Sequence, residues 1–248
     1  SEMDSMRSKT KTMVILIAVG VFASALGCVS RPREPEVNRH DMPPRKVVIA
    51  TMIGALRYPY PGLDERLDHL TELIDKAATE AERKYPQDRL DLILLPEAAV
   101  TTGRGKTASE RAIPLEGKVR ETFATKAREH RAYIVATLDL AEQDSCSNAA
   151  VLFDRSGEVA GIYRKIHPVA YVGRDDLEGG ITPGREVPVF ECDFGRLGIQ
   201  ICFDMVYDDG WEILRRKGAE IVAWPSASPA TAQPARRAWE GQFYIVSC

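Results

Sequence analysis

Histidine is scarce in this chain of 248 residues, with four in all. His40, His69 and His130 fall in segments that read as tether or helix, and His167 reads as structural. A cysteine-histidine catalytic pair therefore has little to draw on. There is no Cys-x-x-Cys, no His-x-x-x-His and no cluster of histidines with carboxylates, so no metal-ligand pattern emerges. A glycine-rich phosphate loop is also missing, and no cofactor is implied. Charge of one sign is lacking as well: 33 Lys and Arg intersperse with 36 Asp and Glu for a net charge of −3, which gives no reason to propose a nucleic-acid partner. At 44% hydrophobic content the chain is long enough for one sizeable globular domain.

The N-terminus departs from this balance. Arg7, Lys9 and Lys11 precede an apolar run from Met13 to Leu26, which meets Gly27-Cys28. A basic start, an apolar stretch of this length and small residues at its end read as an export signal rather than a full membrane span. The chain is thus expected to be exported. The Pro-rich, polar residues 29–45 cannot bury enough apolar surface to fold alone and read as a tether.

From Lys46 the pattern becomes regular. Val47–Ile53 and Leu90–Leu95 read as buried strands, and Leu63, Leu67, Leu70, Ile74, Ala77 and Ala81 recur at helical spacing ahead of Pro86. A second helix fits Gly117–His130 and a further strand Ala132–Leu138. Arg155-Ser-Gly157 has the composition of a turn between two antiparallel strands, which places Lys165 at a strand end. A strand-helix-strand unit follows over Gly195–Ile201, Asp209–Lys217 and Ala219–Trp224. This alternation predicts an α/β fold with helices covering a sheet, and periodicity alone leaves a doubly wound sheet as an alternative to stacked sheets.

Three apolar runs each end on a reactive side chain: Glu97 after Leu92-Ile-Leu-Leu-Pro, Lys165 in Ile162-Tyr-Arg-Lys-Ile-His, and Cys202 in Gly198-Ile-Gln-Ile-Cys-Phe-Asp. A thiol attacks as thiolate, and its ordinary pKa of about 8.5 requires a base or a cation beside it at neutral pH. Each residue also has a plainer reading: a buried structural cysteine, an exposed strand-end carboxylate, a solvated lysine beside Arg164. Burial at the strand end would raise the pKa of Glu97 and suit it to take up protons.

In order and in flanking residues these motifs resemble the nitrilase superfamily, the carbon-nitrogen hydrolases. The resemblance runs from Lys46 to Cys248 and takes in Pro183-Gly184, Trp224-Pro225-Ser226 and Arg237-Ala-Trp-Glu240. It implies a four-layer α-β-β-α sandwich. It implies Cys202 as nucleophile, Glu97 as general base and Lys165 as cation at the oxyanion, with the Phe203 N–H as second donor. Glu178 is the candidate for a second glutamate that orients the lysine, against the plainer reading of an acidic loop with Asp175 and Asp176. Tyr171 and Trp224 are candidates to line a substrate pocket, as are Tyr163 and Tyr207. The implied activity is hydrolysis of a small amide or carbamoyl group, less so a nitrile, through a thioester. Acyl transfer to an amine and a silent scaffold are the alternatives, and homo-oligomerisation is implied. Cys28 resembles the lipidated cysteine of a bacterial lipoprotein, which would tether the protein to a membrane. The resemblance also leads one to expect further strands after Phe243-Tyr-Ile-Val-Ser247, so the domain over 46–248 is expected to be C-terminally shortened. Among Cys146, Cys192 and Cys248, disulfide pairing stays open.

Overall fold

The structure, a computed structural model, describes residues 13–19, 46–53, 59–173, 175–228 and 232–248. Strand β1 (Met13–Val19) pairs antiparallel with β2 (Val47–Ile53), which runs parallel to β3 (Leu90–Leu94) and through it to β4 (Tyr133–Ala141). Strands β5 (Cys146–Phe153) and β6 (Val159–Arg164) complete a six-stranded sheet in the order β1-β2-β3-β4-β5-β6. Strands β7 (Val189–Cys192), β8 (Gly195–Ile199), β9 (Ile221–Trp224) and β10 (Tyr244–Ser247) form a second sheet in the order β10-β9-β8-β7.

Near-continuous apolar strands are what a sheet covered on both faces requires. In β2, Val48, Ala50 and Met52 pack with helices α1 (Leu63–Lys84) and α3 (Lys118–His130), while Val47 and Ile49 pack toward the second sheet. The period of two in a strand thus feeds two cores from one sequence. On the far side of the second sheet, α4 (Asp209–Arg216) contributes Trp211 and Leu214 to the same core. Stacked sheets with helices outside make the α-β-β-α sandwich, and the doubly wound alternative falls away. Helix α1 ends at Lys84 and is capped by Tyr85, the residue before Pro86, where the helical region is sterically disfavoured. The short α2 (Ala108–Arg111) is closed by a capping box between Thr107 and Glu110, and α5 (Gln233–Gly241) precedes β10.

Met13–Val19, the first half of the apolar run read as an export signal, is here an edge strand of the first sheet. An apolar run rich in β-branched residues suits either role, and periodicity does not separate them. No helix among the described residues is long and apolar enough to cross a membrane. Cys28 and the tether lie outside the described residues. Cys146, Cys192, Cys202 and Cys248 are all free thiols.

Candidate active site

Glu97 follows β3, and its loop is held from beneath. Thr137 on β4 donates its hydroxyl to the Pro96 carbonyl and accepts Ala99 N–H at 3.0 Å, and the buried Arg66 of α1 donates to the carbonyls of Ala99 and Thr102 at 2.9 and 3.2 Å. Lys165 follows β6, whose pairing with β5 brings it beside Asn148. With 1% of its side chain exposed, Lys165 donates to Glu97 Oε1 at 2.9 Å and to Glu178 Oε1. Asn148 Nδ2 donates to Glu97 Oε1 at 2.9 Å and to Glu178 Oε2 at 3.3 Å, and Ala227 N–H donates to Glu97 Oε2 at 2.9 Å. Glu178 is fixed on its other side by Val169 N–H, 3.0 Å from Oε1, and by Arg111, which donates to its carbonyl at 2.9 Å. Arg111 is itself anchored on Asp139 at 2.9 Å.

Cys202 opens a turn of 3-10 helix, Cys202–Val206, separated from the end of β8 by Gln200 and Ile201. Its N–H donates to the Pro225 carbonyl at 2.9 Å, and Trp224 Nε1 donates to its carbonyl at 3.0 Å. The side chains of Glu97 and Ser226 are the groups that act most directly on its thiol. Trp224-Pro225-Ser226 is therefore the cradle of Cys202. Arg237, almost fully buried, donates to the carbonyls of Met205 and Tyr207 at 3.2 and 2.9 Å and clamps the end of the same turn onto α5. Cys202 (φ 41°), Glu178 (φ 47°) and Ala98 (φ 49°) all adopt the left-handed region and all border one cavity of about 510 Å³. Non-glycine residues hold that conformation only when their surroundings over-determine it, and such strain gathers at functional sites.

The charges are set by burial and by one another. Burial works against the Lys165 ammonium, but Glu97 and Glu178 outweigh it and hold its pKa well above the ordinary 10.5. Burial pushes the Cys202 thiol up and Glu97 pushes it further, against opposing pulls from Ser226 and Lys165. At rest, Cys202 is a protonated thiol beside a carboxylate acceptor.

The four residues Glu97, Lys165, Glu178 and Cys202 are thus brought together, and Tyr171 borders the mouth of the cavity. Phe203 and Trp224 do not line it. Trp224 lies beneath, 4% exposed, where its indole holds the Cys202 turn, and Tyr163 is fully buried in the core. With the Cys202 N–H committed to Pro225, the Phe203 N–H is the next amide along the turn. His167 pairs with Asp204 and Asp209 at 3.3 Å each and stacks on Tyr207, a structural placement. Asn148 and Asp139 were not anticipated. A polar side chain in the apolar strands Cys146–Phe153 and Tyr133–Ala141 was the available signal, and the two sit opposite each other in the β4-β5 ladder. A larger cavity of about 840 Å³ beside Arg155 and His130 has no cysteine in its lining. Among the described residues, Asp75, Glu129 and His130 form the one trio with metal-ligand spacing, but the Lys126 ammonium already donates to both carboxylates at 2.9 and 2.8 Å.

Pro183-Gly184 has its reason here. Gly184 N–H donates to the Lys165 carbonyl at 2.8 Å, and a Cβ on Gly184 would meet the Arg164 carbonyl oxygen at 2.2 Å. Gly184→Ala is expected to push back the strand end that carries Lys165. It should cost about 1–3 kcal/mol, the usual range for overpacking, seen as a lowered Tm together with reduced turnover. An unchanged Tm would show that the contact relaxes freely.

Such a site, with carboxylate and ammonium buried beside a part-buried thiol at the ends of two facing sheets, defines a class of α-β-β-α sandwich with a cysteine on its cavity. Within that class the chain belongs to the carbon-nitrogen hydrolase family, which it matches over residues 53–248. It is 26% identical over 195 residues to the nitrilase and fragile histidine triad fusion protein of Drosophila melanogaster, covering 73% of this chain and 40% of that one. It is 28% identical over 166 residues to a deaminated glutathione amidase of Yersinia enterocolitica, covering 61% of this chain and 56% of that one. The chain therefore spans about half the length of these two relatives. In structure it is similar to an amidase from Nesterenkonia sp., with a TM-score of 0.64 and 23% identity over 81% of this chain and 74% of that one.

Proposed function

We propose that this domain hydrolyses the carbon-nitrogen bond of a small polar amide or carbamoyl compound through a Cys202 thioester. The observation that carries this reading is the buried Lys165–Glu97 pair at 2.9 Å, which shares one cavity with the Cys202 thiol. As the sulfur attacks the carbonyl carbon, Glu97 takes the thiol proton, and the carbonyl becomes a tetrahedral oxyanion facing the Lys165 ammonium and the Phe203 N–H. Glu97 returns the proton to the departing nitrogen, the carbon-nitrogen bond breaks, and ammonia or an amine leaves. Water then gives a proton to Glu97 and attacks the thioester, releasing the acid and restoring the thiol. Glu178 holds Lys165 from the other side. The relatives named as amidases support an amide over a nitrile. The cavity favours a small, polar substrate, since Thr102, Lys106, Arg111, Asp139 and Asn148 line it and few apolar side chains do.

The test is intact-protein mass spectrometry of the whole chain with a panel of small amides, carbamoyl amino acids and nitriles, while ammonia release is followed. A transient acyl adduct on wild type, absent from Cys202→Ala, is expected with amides. Adding hydroxylamine or a primary amine separates hydrolysis from acyl transfer, and a folded wild type that forms no adduct across the panel would favour the scaffold reading. Export and lipidation at Cys28 are proposed from the N-terminal pattern alone. Cleavage before Cys28 would remove β1, so the mass of the mature N-terminus decides between the signal and the strand.

A further inference from the structure

Asp204 takes no part in the steps above, yet it has no solvent-accessible surface and sits in the same turn as the nucleophile. Its Oδ2 accepts the Tyr163 hydroxyl at 2.7 Å and Ile201 N–H at 2.8 Å, and its Oδ1 accepts His167 N–H at 2.9 Å. Trp211 Nε1 donates to its backbone carbonyl at 2.9 Å. Tyr163 and His167 lie on either side of Lys165, and Ile201 directly precedes Cys202. One carboxylate therefore ties the lysine segment of the first sheet to the nucleophile turn of the second.

The other contacts of Cys202 do a different job. Pro225 and Trp224 hold it to its own sheet, and Ala227 joins that sheet to Glu97. The bonds of Asp204 set the turn against Lys165. A buried carboxylate is strongly unfavourable unless donors converge on it, and convergent donors fix geometry. The left-handed backbone of Cys202, with φ 41°, needs that bracing.

We propose that Asp204 is a positioning residue, a buried clamp between the lysine segment and the nucleophile turn that sets the spacing of Cys202 from the Lys165–Glu97 pair. This rests on the reading of Cys202 as nucleophile and Glu97 as its base. Tyr163, whose hydroxyl also accepts Gln200 Nε2 at 3.1 Å, extends the clamp into the end of β8.

Asp204→Asn keeps the size of the side chain but puts an amide donor where one carboxylate oxygen received a proton. Ile201 N–H or His167 N–H then loses its acceptor. In the full chain, kcat is expected to fall about ten- to hundredfold, the scale of a misplacement of about 1 Å, with KM changed less than about threefold. A second readout needs no substrate: Glu97→Gln shifts the pH midpoint of Cys202 alkylation by iodoacetamide, and that shift should shrink by at least about half in the Asp204→Asn background, as expected for residues that act together. Ile74→Ala in the outer core, chosen for a Tm loss at least as large, should leave both readouts unchanged. An Asp204→Asn kcat loss no greater than that of Ile74→Ala, or an undiminished Glu97→Gln shift, overturns the proposal. If Asp204→Asn does not fold, Tyr163→Phe removes one donor from the same oxygen and is held to the same criteria. If wild type turns over no amide, the alkylation readout alone decides, so failure of the hydrolase reading and failure of the clamp remain separate results.

Discussion

Glu97→Gln should cut amide turnover by about 10²- to 10⁴-fold, the usual contribution of a positioned general base, and at the same time make Cys202 easier to ionise. The two effects point in opposite directions because Glu97 acts on the thiol in two ways. As a proton acceptor it is needed each time sulfur attacks. As a negative charge beside a buried thiol it disfavours the thiolate, second only to burial itself. Glutamine keeps the shape and an oxygen for Lys165, but it removes the charge and leaves Lys165, which favours the thiolate, less neutralised. The Cys202 pKa therefore falls in the variant, and alkylation by iodoacetamide follows a pH profile displaced to lower pH. Turnover and the alkylation midpoint, measured on the same two proteins, check both halves. Turnover within about threefold of wild type, or a midpoint that stays put or rises, would remove Glu97 from the role of base. A nucleophile activated by a lowered equilibrium pKa would behave in the opposite way, losing alkylation and turnover together.

Much of this site could be read along the chain, because its chemical groups sit where local pattern changes. Glu97, Lys165 and Cys202 each interrupt an apolar strand at its end, where a charge or a thiol has a buried neighbourhood on one side and a cavity on the other. Helix α1 was readable from the spacing of Leu67, Leu70, Ile74, Ala77 and Ala81, all buried as that spacing requires. What could not be read depends on contacts between layers. Asn148 reaches Glu97 across 51 positions of sequence and Asp204 reaches Tyr163 across 41, and no periodicity encodes either meeting. Trp224 reads in sequence as a candidate for the pocket wall, although aromatic residues near strand ends are more often core, and core is where it lies. In the sandwich the nucleophile turn folds over it, so its indole faces the Cys202 carbonyl instead. The layer count had the same limitation: a strand buried on both faces looks alike between helices and between a helix layer and a second sheet.

Lys165→Met tests the electrostatics from the other side, and it should damage the fold as well as the chemistry. The ammonium is paired with Glu97 and Glu178 and almost without exposure. Removing one partner of a buried ion pair typically costs about 3–5 kcal/mol, because the charge left behind is uncompensated. For a chain of this size that corresponds to a fall in Tm of about 6–20 °C. Glu97 and Glu178 would be left together without their shared counter-ion. In the wild type the pH dependence of this pairing runs through Lys165 itself. Its raised pKa contributes stability that is fully present below the ordinary value of 10.5 and is lost only as pH climbs past it toward the higher folded value. The double variant Lys165→Met, Glu178→Gln removes one of the two stranded charges and should regain most of the Tm. It should not regain turnover, since the oxyanion would still lack its cation, a deficit worth about 10²- to 10³-fold. Recovery of both together would mean that Lys165 holds the site together without touching the reaction. Recovery of stability alone would assign it both tasks: counter-ion to two carboxylates at rest, and counter-ion to the oxyanion when the thiol attacks.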